Sequence, residues 1–199
     1  MIVEFRKLFL FTLFLSQQLS SGFVQSAPNA DTPSFYLVSS SASSSNLLPL
    51  RMSAGGGGGP ASLLGSGTPA RFYFYQGELA VHDPDDSSFP YRLLINTIPA
   101  AGGCTNFGAL HFVQGTSTNK CASYESFQLQ SNQQDSQLGA ELVFNFTGGF
   151  YVCNSGAEVS FVLKTGVSLK DCSKVWYKIN SGDGPSDCVP IRLYTVPVY

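Results

Sequence analysis

The chain has 199 residues, of which 11 are Lys or Arg, 13 are Asp or Glu and two are His, so its formal net charge is −2. Its basic residues are dispersed, whereas binding to nucleic acid or to an anionic membrane requires clustered Lys and Arg. The composition therefore argues against both as main partners, and the length fits one domain with a sizeable core.

The first residues have the order of a secretory signal. Arg6 and Lys7 precede an apolar run at 8–15, and a polar stretch follows in which Ser26 suits the last position before cleavage. The apolar run is far shorter than the about 20 residues that a membrane-spanning helix needs. We therefore predict a signal peptide at residues 1–26, no membrane span, and an extracellular protein that is secreted or held in a cell wall.

After the signal, segments rich in Val, Tyr, Phe and Leu alternate with Gly, Ser, Asn and Pro clusters, which is typical of strands and turns. We predict a flexible tail at 27–34 and a single β domain at 35–199, with a mobile Gly-rich loop at 53–69. Gln76-Gly77 and Gly148-Gly149 are expected to form hairpin turns. The predicted strands are 35–40, 47–52, 71–75, 78–82, 91–97, 109–114, 126–130, 140–146, 150–153, 159–164, 175–179 and 189–196.

Alternation along the strands indicates which side chains share a face. In the strand 71–75, Phe72 and Phe74 point one way and are expected in the core, while Tyr73 and Tyr75 point the other way. Strands that are buried on one face must pack as two sheets or close on themselves. We predict an all-β fold, a single compact antiparallel β-sandwich or closed barrel, with a β-trefoil as the alternative.

All five cysteines follow the predicted signal, and cysteines in an oxidising compartment are expected to pair. Because five is odd, one cysteine is free or bonds another chain, and the sequence does not select the pairing. We favour Cys104–Cys121, a short loop whose closure contributes about 3 kcal/mol in the chain-entropy model. There is no Cys-x-x-Cys pair and there are only two histidines, so we predict no metal site and no cofactor.

Asn145-Phe146-Thr147 has the N-x-Ser/Thr pattern that accepts a glycan in secreted proteins. Its position beside a Gly-Gly turn favours an accessible site, so we predict glycosylation at Asn145. The alternative is an asparagine in a strand, whose side chain is inaccessible during export.

The residue types needed for hydrolysis do not form a recognisable motif. A serine hydrolase needs a histidine beside its nucleophile, and only His82 and His111 are available, without a G-x-S-x-G elbow. A glycosidase needs two carboxylates in one cleft, and the sequence does not pair any two of its acids. We therefore assign no catalytic residues, and a hydrolase with an unrecognised site stays as an alternative.

Sugar binding is the more specific hypothesis, because sugars dock on exposed aromatic rings beside hydrogen-bonding side chains. Aromatic residues in β proteins mostly fill cores, and Trp176 is favoured as a core residue on that ground. The candidates for a glycan-binding face are Tyr73, Tyr75, Tyr91, Trp176, Tyr177 and Asn180.

A family resemblance rests on several short motifs. These are FYLVSS at 35–40, LPLRM at 48–52, LVF at 142–144 leading to GFYVC at 149–153, and Cys188 before the last strand. The chain resembles fungal secreted cell-wall proteins of the PhiA type across most of its mature part. Its Gly run and Cys104, Cys121 and Cys172 depart from that pattern.

The resemblance implies a wall-associated or secreted fungal protein that is structural or glycan-associating and without established catalysis. It also implies a Cys153–Cys188 disulfide, with Cys172 as the unpaired thiol. The expected partner is cell-wall polysaccharide. The alternative is a secreted interaction protein, whose partner would be an extracellular protein. The sequence leaves the oligomeric state open.

Overall fold

A computed structural model describes residues 26–42, 46–52, 62–65, 68–82, 90–132, 137–153 and 173–199. The secondary structure of these residues consists of β-strands. The strands are β1 (Phe35–Ser40), β2 (Leu50–Met52), β3 (Ser62–Leu64), β4 (Arg71–Tyr75), β5 (Glu78–His82), β6 (Tyr91–Ala100), β7 (Gly103–Val113), β8 (Ala122–Ser123), β9 (Phe127–Gln130), β10 (Glu141–Phe144), β11 (Gly149–Cys153), β12 (Ser173–Lys178) and β13 (Cys188–Pro197).

Eight of these strands close into an antiparallel barrel in the order β12-β7-β6-β5-β4-β1-β13-β11, and β11 pairs back onto β12. The prediction of an all-β closed barrel is therefore confirmed, whereas the trefoil alternative, which needs three equivalent units, does not describe this strand order. Strands β1, β4 and β5 match their predicted bounds residue by residue. Strands β3 and β8 were not predicted, and the predicted strand 159–164 lies outside the described residues.

The core forms from alternate positions of the barrel strands. Leu37, Phe72, Val81 and Phe112 are fully buried in one cluster, and the rings of Phe72 and Phe112 lie 6.1 Å apart. Phe72 is buried as the alternation of its strand predicts. Period-two burial of this kind is what a closed barrel requires, because one face of each strand points inward.

Tyr73 departs from the predicted pattern, because its side chain is only 4% exposed although it lies on the face opposite Phe72. The ring of His82 stacks on it with the ring centroids 5.0 Å apart. Burial, and then the charge of Tyr75, raise the pKa of the Tyr73 phenol above its usual value. The outer face of β4 is therefore covered at this position.

Parts of the two segments that were predicted as a mobile loop and a flexible tail pair with strands of the barrel. Within the predicted loop 53–69, strand β3 pairs with both β2 and β12, and Leu64 is buried in the core. Within the predicted tail 27–34, the Asp31 N–H donates to the Phe74 carbonyl (2.8 Å), and the Phe74 N–H donates to Thr32 Oγ1 (2.9 Å). The described part of the loop thus contacts the core, and the described tail pairs with β4.

The expected hairpin between β10 and β11 is wrong, because the two strands do not pair with each other. Both pair with the same edge of β13: β10 through Glu141 and Leu142, and β11 from Phe150 onward. The chain leaves β13 after Leu142 and rejoins it at Phe150. We call the intervening residues 143–149 the seam loop.

Two disulfides link the described strands, Cys104–Cys121 and Cys153–Cys188. The first is the short bridge favoured from the spacing, and the second is the bridge implied by the family resemblance. The second joins residues that face each other on β11 and β13, and so it holds the barrel near its closure. Cys172, the predicted free thiol, lies outside the described residues.

Candidate binding pocket at the barrel seam

An open pocket of about 560 Å³ lies where the chain leaves β13 and rejoins it. The ends of β1 and β10, the seam loop, the start of β11, Tyr177 of β12 and residues 190–192 of β13 form its walls. Its volume falls within the range of small-ligand sites, roughly 300–1,000 Å³. The pocket therefore exists because β10 and β11 share one edge of β13 instead of forming a hairpin.

One wall carries an oriented carboxylate. Gln130 Nε2 donates a hydrogen bond to Glu141 Oε2 (3.1 Å), and Arg192 Nε lies 3.8 Å from Glu141 Oε1. The Glu141 side chain is 15% exposed, whereas that of Arg192 is 50% exposed. Because an ionised carboxylate can accept about four hydrogen bonds, Glu141 keeps acceptor capacity for a ligand.

Arg192 remains a cation beside this carboxylate. Its pKa is raised above the usual value, first by a hydrogen bond with Tyr194 and further by the charge of Glu141, while partial desolvation acts in the opposite direction. The wall thus presents a paired acid and base with little net charge. Such a wall can donate and accept hydrogen bonds without strongly attracting ions of either sign.

Aromatic residues also line the pocket. The ring of Tyr177 meets those of Phe144 and Phe150 edge to face, with centroids 4.8 and 6.2 Å away. The Tyr177 hydroxyl donates to the carbonyl of Thr147 (2.8 Å) in the seam loop. This cluster anchors the seam loop to β12, because the loop backbone is bonded to a buried side chain.

The seam loop contains a turn whose central residues, Asn145 and Phe146, have positive φ angles of 51° and 50°. The Thr147 N–H donates to the Phe144 carbonyl (3.4 Å) and closes the turn. Two successive positive φ angles characterise type I′ turns, in which Asn-Gly is the favoured pair. Phe146 therefore occupies a position suited to glycine, and its side chain is 62% exposed on the pocket wall.

Positive φ at a bulky residue costs on the order of 1–3 kcal/mol and persists only where the surroundings impose it. Burial of the Phe146 ring does not offset that cost, since most of the ring is in solvent. The chain thus holds an aromatic ring, in a strained conformation, at a pocket that an oriented carboxylate also lines. Strain of this kind at a pocket is typical of ligand-binding positions.

Of the six residues predicted to form a glycan-binding face, Tyr177 lines this pocket. Tyr73 is buried and offers no exposed ring. Tyr75 is 40% exposed beside the β4–β5 turn, and Tyr91 packs against the core from β6. The structure therefore does not bring the predicted set together.

The remaining two members of that set, Trp176 and Asn180, lie in β12 and just after it. Trp176 is half-buried, with its ring 6.2 Å from that of Phe107. Asn180 is exposed just after β12, and both its backbone and side-chain N–H groups donate to Asp183 Oδ2. Neither residue lines the pocket at the seam.

Sequence reasoning missed Phe146 and Arg192 as site residues, and Glu141 was one of the acids that the sequence did not pair. Phe146 was noticed as the middle of the glycosylation motif. The signal available was an Asn followed by Phe, instead of by Gly, in a tight turn. The pair Asn-Phe indicates a strained turn only when both residues are known to have positive φ.

The residues considered for hydrolysis lie apart. His82 stacks on Tyr73, and Glu78 forms an ion pair with Arg92. Among the described residues that line the pocket, Glu141 is the carboxylate and none is a histidine. The described ranges contain no group of three or more His, Cys, Asp or Glu side chains placed to hold a metal ion.

No protein-family profile, curated protein or solved structure matches this chain. Within the ranges that the structure describes, no helix has the length and apolar character needed to cross a membrane.

Proposed function

We propose that this protein is a non-enzymatic, secreted or cell-wall-associated protein that binds neutral polysaccharide through the pocket at the seam. The observation that carries this proposal is that the exposed, strained Phe146 ring and the oriented Glu141 carboxylate line the same pocket. Two disulfides are compatible with an extracellular location, because such bonds persist in oxidising compartments. The resemblance to fungal cell-wall proteins supports the same assignment.

The two walls of the pocket suit the two kinds of surface that a sugar presents. The C–H faces of a sugar ring are apolar and pack on an aromatic ring such as Phe146. The hydroxyls of the sugar donate to a carboxylate such as Glu141 and accept from a guanidinium such as that of Arg192. A few convergent polar groups on a mainly apolar wall are the usual composition of ligand sites.

The charges favour a neutral polymer over a charged one. Glu141 and Arg192 offset each other at the pocket, and the chain as a whole carries a formal charge of −2. A polyanionic polymer would be repelled by that net charge, and a polycation would have to compete with Arg192 for Glu141. The pocket is open to solvent, which suits a polymer that extends beyond it.

The test uses protein made without glycans and with its disulfides formed, for example by export to a bacterial periplasm. Binding to insoluble chitin, β-glucan and mannan is measured by depletion of free protein across a concentration series. We expect saturable binding to one polymer, and we expect Phe146→Gly to weaken it by at least about tenfold, as for a central aromatic contact.

Tyr75→Ala is the matched control, because Tyr75 is also an exposed aromatic residue beside a tight turn but does not line the pocket. It should leave binding unchanged. Equal losses in the two variants, or no loss in Phe146→Gly, would overturn the assignment of the site. Absence of binding to all three polymers would overturn polysaccharide binding and favour an extracellular protein partner.

A further inference from the structure

The glycosylation motif and the pocket share the same turn. Phe146 and Thr147 of Asn145-Phe146-Thr147 both line the pocket, and Asn145 is exposed immediately before them. The turn is tied down on both sides: the Asn145 N–H donates to the Ser126 carbonyl (2.8 Å), and Tyr177 bonds Thr147. A group attached to Asn145 would therefore be held close to the pocket mouth.

We propose that Asn145 carries an N-linked glycan and that this glycan closes the pocket at the seam. The inference rests on the proposed function, since it concerns access of polysaccharide to the same site. The sugar attached to the Asn145 amide stands one residue from the Phe146 ring, on which an incoming polymer would dock. The attached glycan and the polymer thus compete for one aromatic surface, and the attached glycan has the advantage of a high effective concentration.

The modification is a group transfer from a lipid pyrophosphate-linked oligosaccharide, the donor used in the secretory pathway. A bond forms between the Asn145 amide nitrogen and C1 of the first sugar, while the bond from C1 to the pyrophosphate oxygen breaks. The amide nitrogen loses one proton, and the lipid pyrophosphate is the leaving group. No oxidant or reductant is involved, so the step balances with the donor alone.

The folded structure indicates when this transfer takes place. Thr147 Oγ1, the hydroxyl that completes the motif, lies 3.3 Å from the Tyr177 hydroxyl, and the Thr147 carbonyl accepts a hydrogen bond from that same hydroxyl. The turn is also closed by its own backbone hydrogen bond. The motif is therefore extended and available only before the seam loop docks on β12, and transfer precedes folding of this part of the barrel.

Asn145 also suits the modification conformationally. Asparagine tolerates positive φ better than most residues, and its side chain in this turn is on the exposed side of the molecule. Glycosylation leaves that backbone conformation unchanged. Occupancy of the motif therefore sets the fraction of molecules with an open pocket without altering the fold.

The test compares two forms of the full chain secreted from a eukaryotic host, before and after removal of N-glycans by peptide N-glycanase. That enzyme converts the glycosylated asparagine to aspartate, so Asn145→Asp from the same host is the matched control with an identical sequence. Intact mass reports the glycan. Binding is measured with chitin, β-glucan and mannan as the probes. We expect the glycosylated form to bind at least about tenfold more weakly than both aspartate forms.

The possible outcomes separate this inference from the proposed function. Secreted protein without a glycan at Asn145 would overturn the inference and leave polysaccharide binding standing. Equal binding before and after glycan removal would do the same. If neither the treated protein nor the Asn145→Asp variant binds any of the three polymers, polysaccharide binding fails, and the inference fails with it.

Discussion

Two tight turns of this barrel have the same backbone conformation and different residues. In the turn between β4 and β5, Gln76 and Gly77 have φ angles of 51° and 77°. In the seam loop, Asn145 and Phe146 have φ angles of 51° and 50°. The first turn has glycine where glycine is favoured, and the second has phenylalanine.

The difference separates a turn that serves the fold from a turn that serves a site. The Gln76-Gly77 turn joins two strands that pair along their whole length, from Tyr75 opposite Glu78 onward. The turn at Asn145-Phe146 joins strands that pair with β13 and not with each other, and it places an aromatic ring on a pocket. At the second central position, the local conformational preference is satisfied by Gly77 in the first turn and overridden at Phe146 in the second.

The largest expected effect comes from Gly148, which follows the strained turn. A Cβ on this residue would lie 2.2 Å from the Lys178 carbonyl oxygen, and its φ is +67°. We expect Gly148→Ala to destabilise the protein by about 3 kcal/mol, combining a backbone clash with an unfavourable φ. Urea denaturation with a constant m-value measures the change in the free energy of unfolding.

Gly77→Ala is the control for that variant, because Gly77 also has positive φ but a Cβ there would meet nothing within 4 Å. We expect Gly77→Ala to lower the free energy of unfolding by only about 1 kcal/mol, which is the cost of a positive φ at alanine. Equal losses for the two alanine variants would contradict the close approach of the seam loop to β12.

The two turns can also be exchanged in their second central residue. Phe146→Gly should raise the free energy of unfolding by about 1 kcal/mol, because it relieves the positive φ at a mostly exposed side chain. Gly77→Phe should lower it by a similar amount for the converse reason. Both values come from the same urea series as the alanine variants. A destabilising Phe146→Gly would show that the ring stabilises the fold, and would remove strain as an argument for a binding site.

The smallest effect concerns the dependence of stability on alkaline pH near the first turn. The pKa of the Tyr73 phenol is raised above its usual value, mainly by burial. A raised pKa means that the Tyr73 phenol stays protonated to a higher pH in the folded state than in the unfolded state. The associated stability is therefore fully present below the unfolded pKa and is lost as pH rises through the folded pKa.

Tyr73→Phe should accordingly reduce the decline of stability as the pH rises above about 10, the unfolded pKa of tyrosine. Tyr75→Phe, at the exposed position two residues along, is the control and should retain most of the decline, because burial of Tyr73 is its main cause. Thermal unfolding midpoints across this pH range measure both slopes. Identical slopes for the two variants would contradict the burial of Tyr73.

Much of the fold could be predicted because local patterns of alternating apolar and polar residues indicate strands. The alternation in 35–40, 71–75 and 78–82 yielded the observed bounds of β1, β4 and β5, and Gly77 marked the turn between the last two. The pocket could not be predicted in the same way. The motif Phe144-Asn145-Phe146 with Gly148-Gly149 reads as a hairpin, and nothing local reveals that β10 and β11 both pair with β13.

The sequence by itself determined the class of fold, most strands and the residues available for disulfides, since each depends on period-two alternation, turn chemistry or residue type. Only the tertiary structure decided the burial of Tyr73, the ordering of Ser62–Leu64 as β3, and the gap in pairing between Leu142 and Phe150. The physical reason is that partner choice among strands depends on closure of the whole barrel. That closure brings Glu141 of β10, Tyr177 of β12 and Arg192 of β13 to one pocket from three separate parts of the chain.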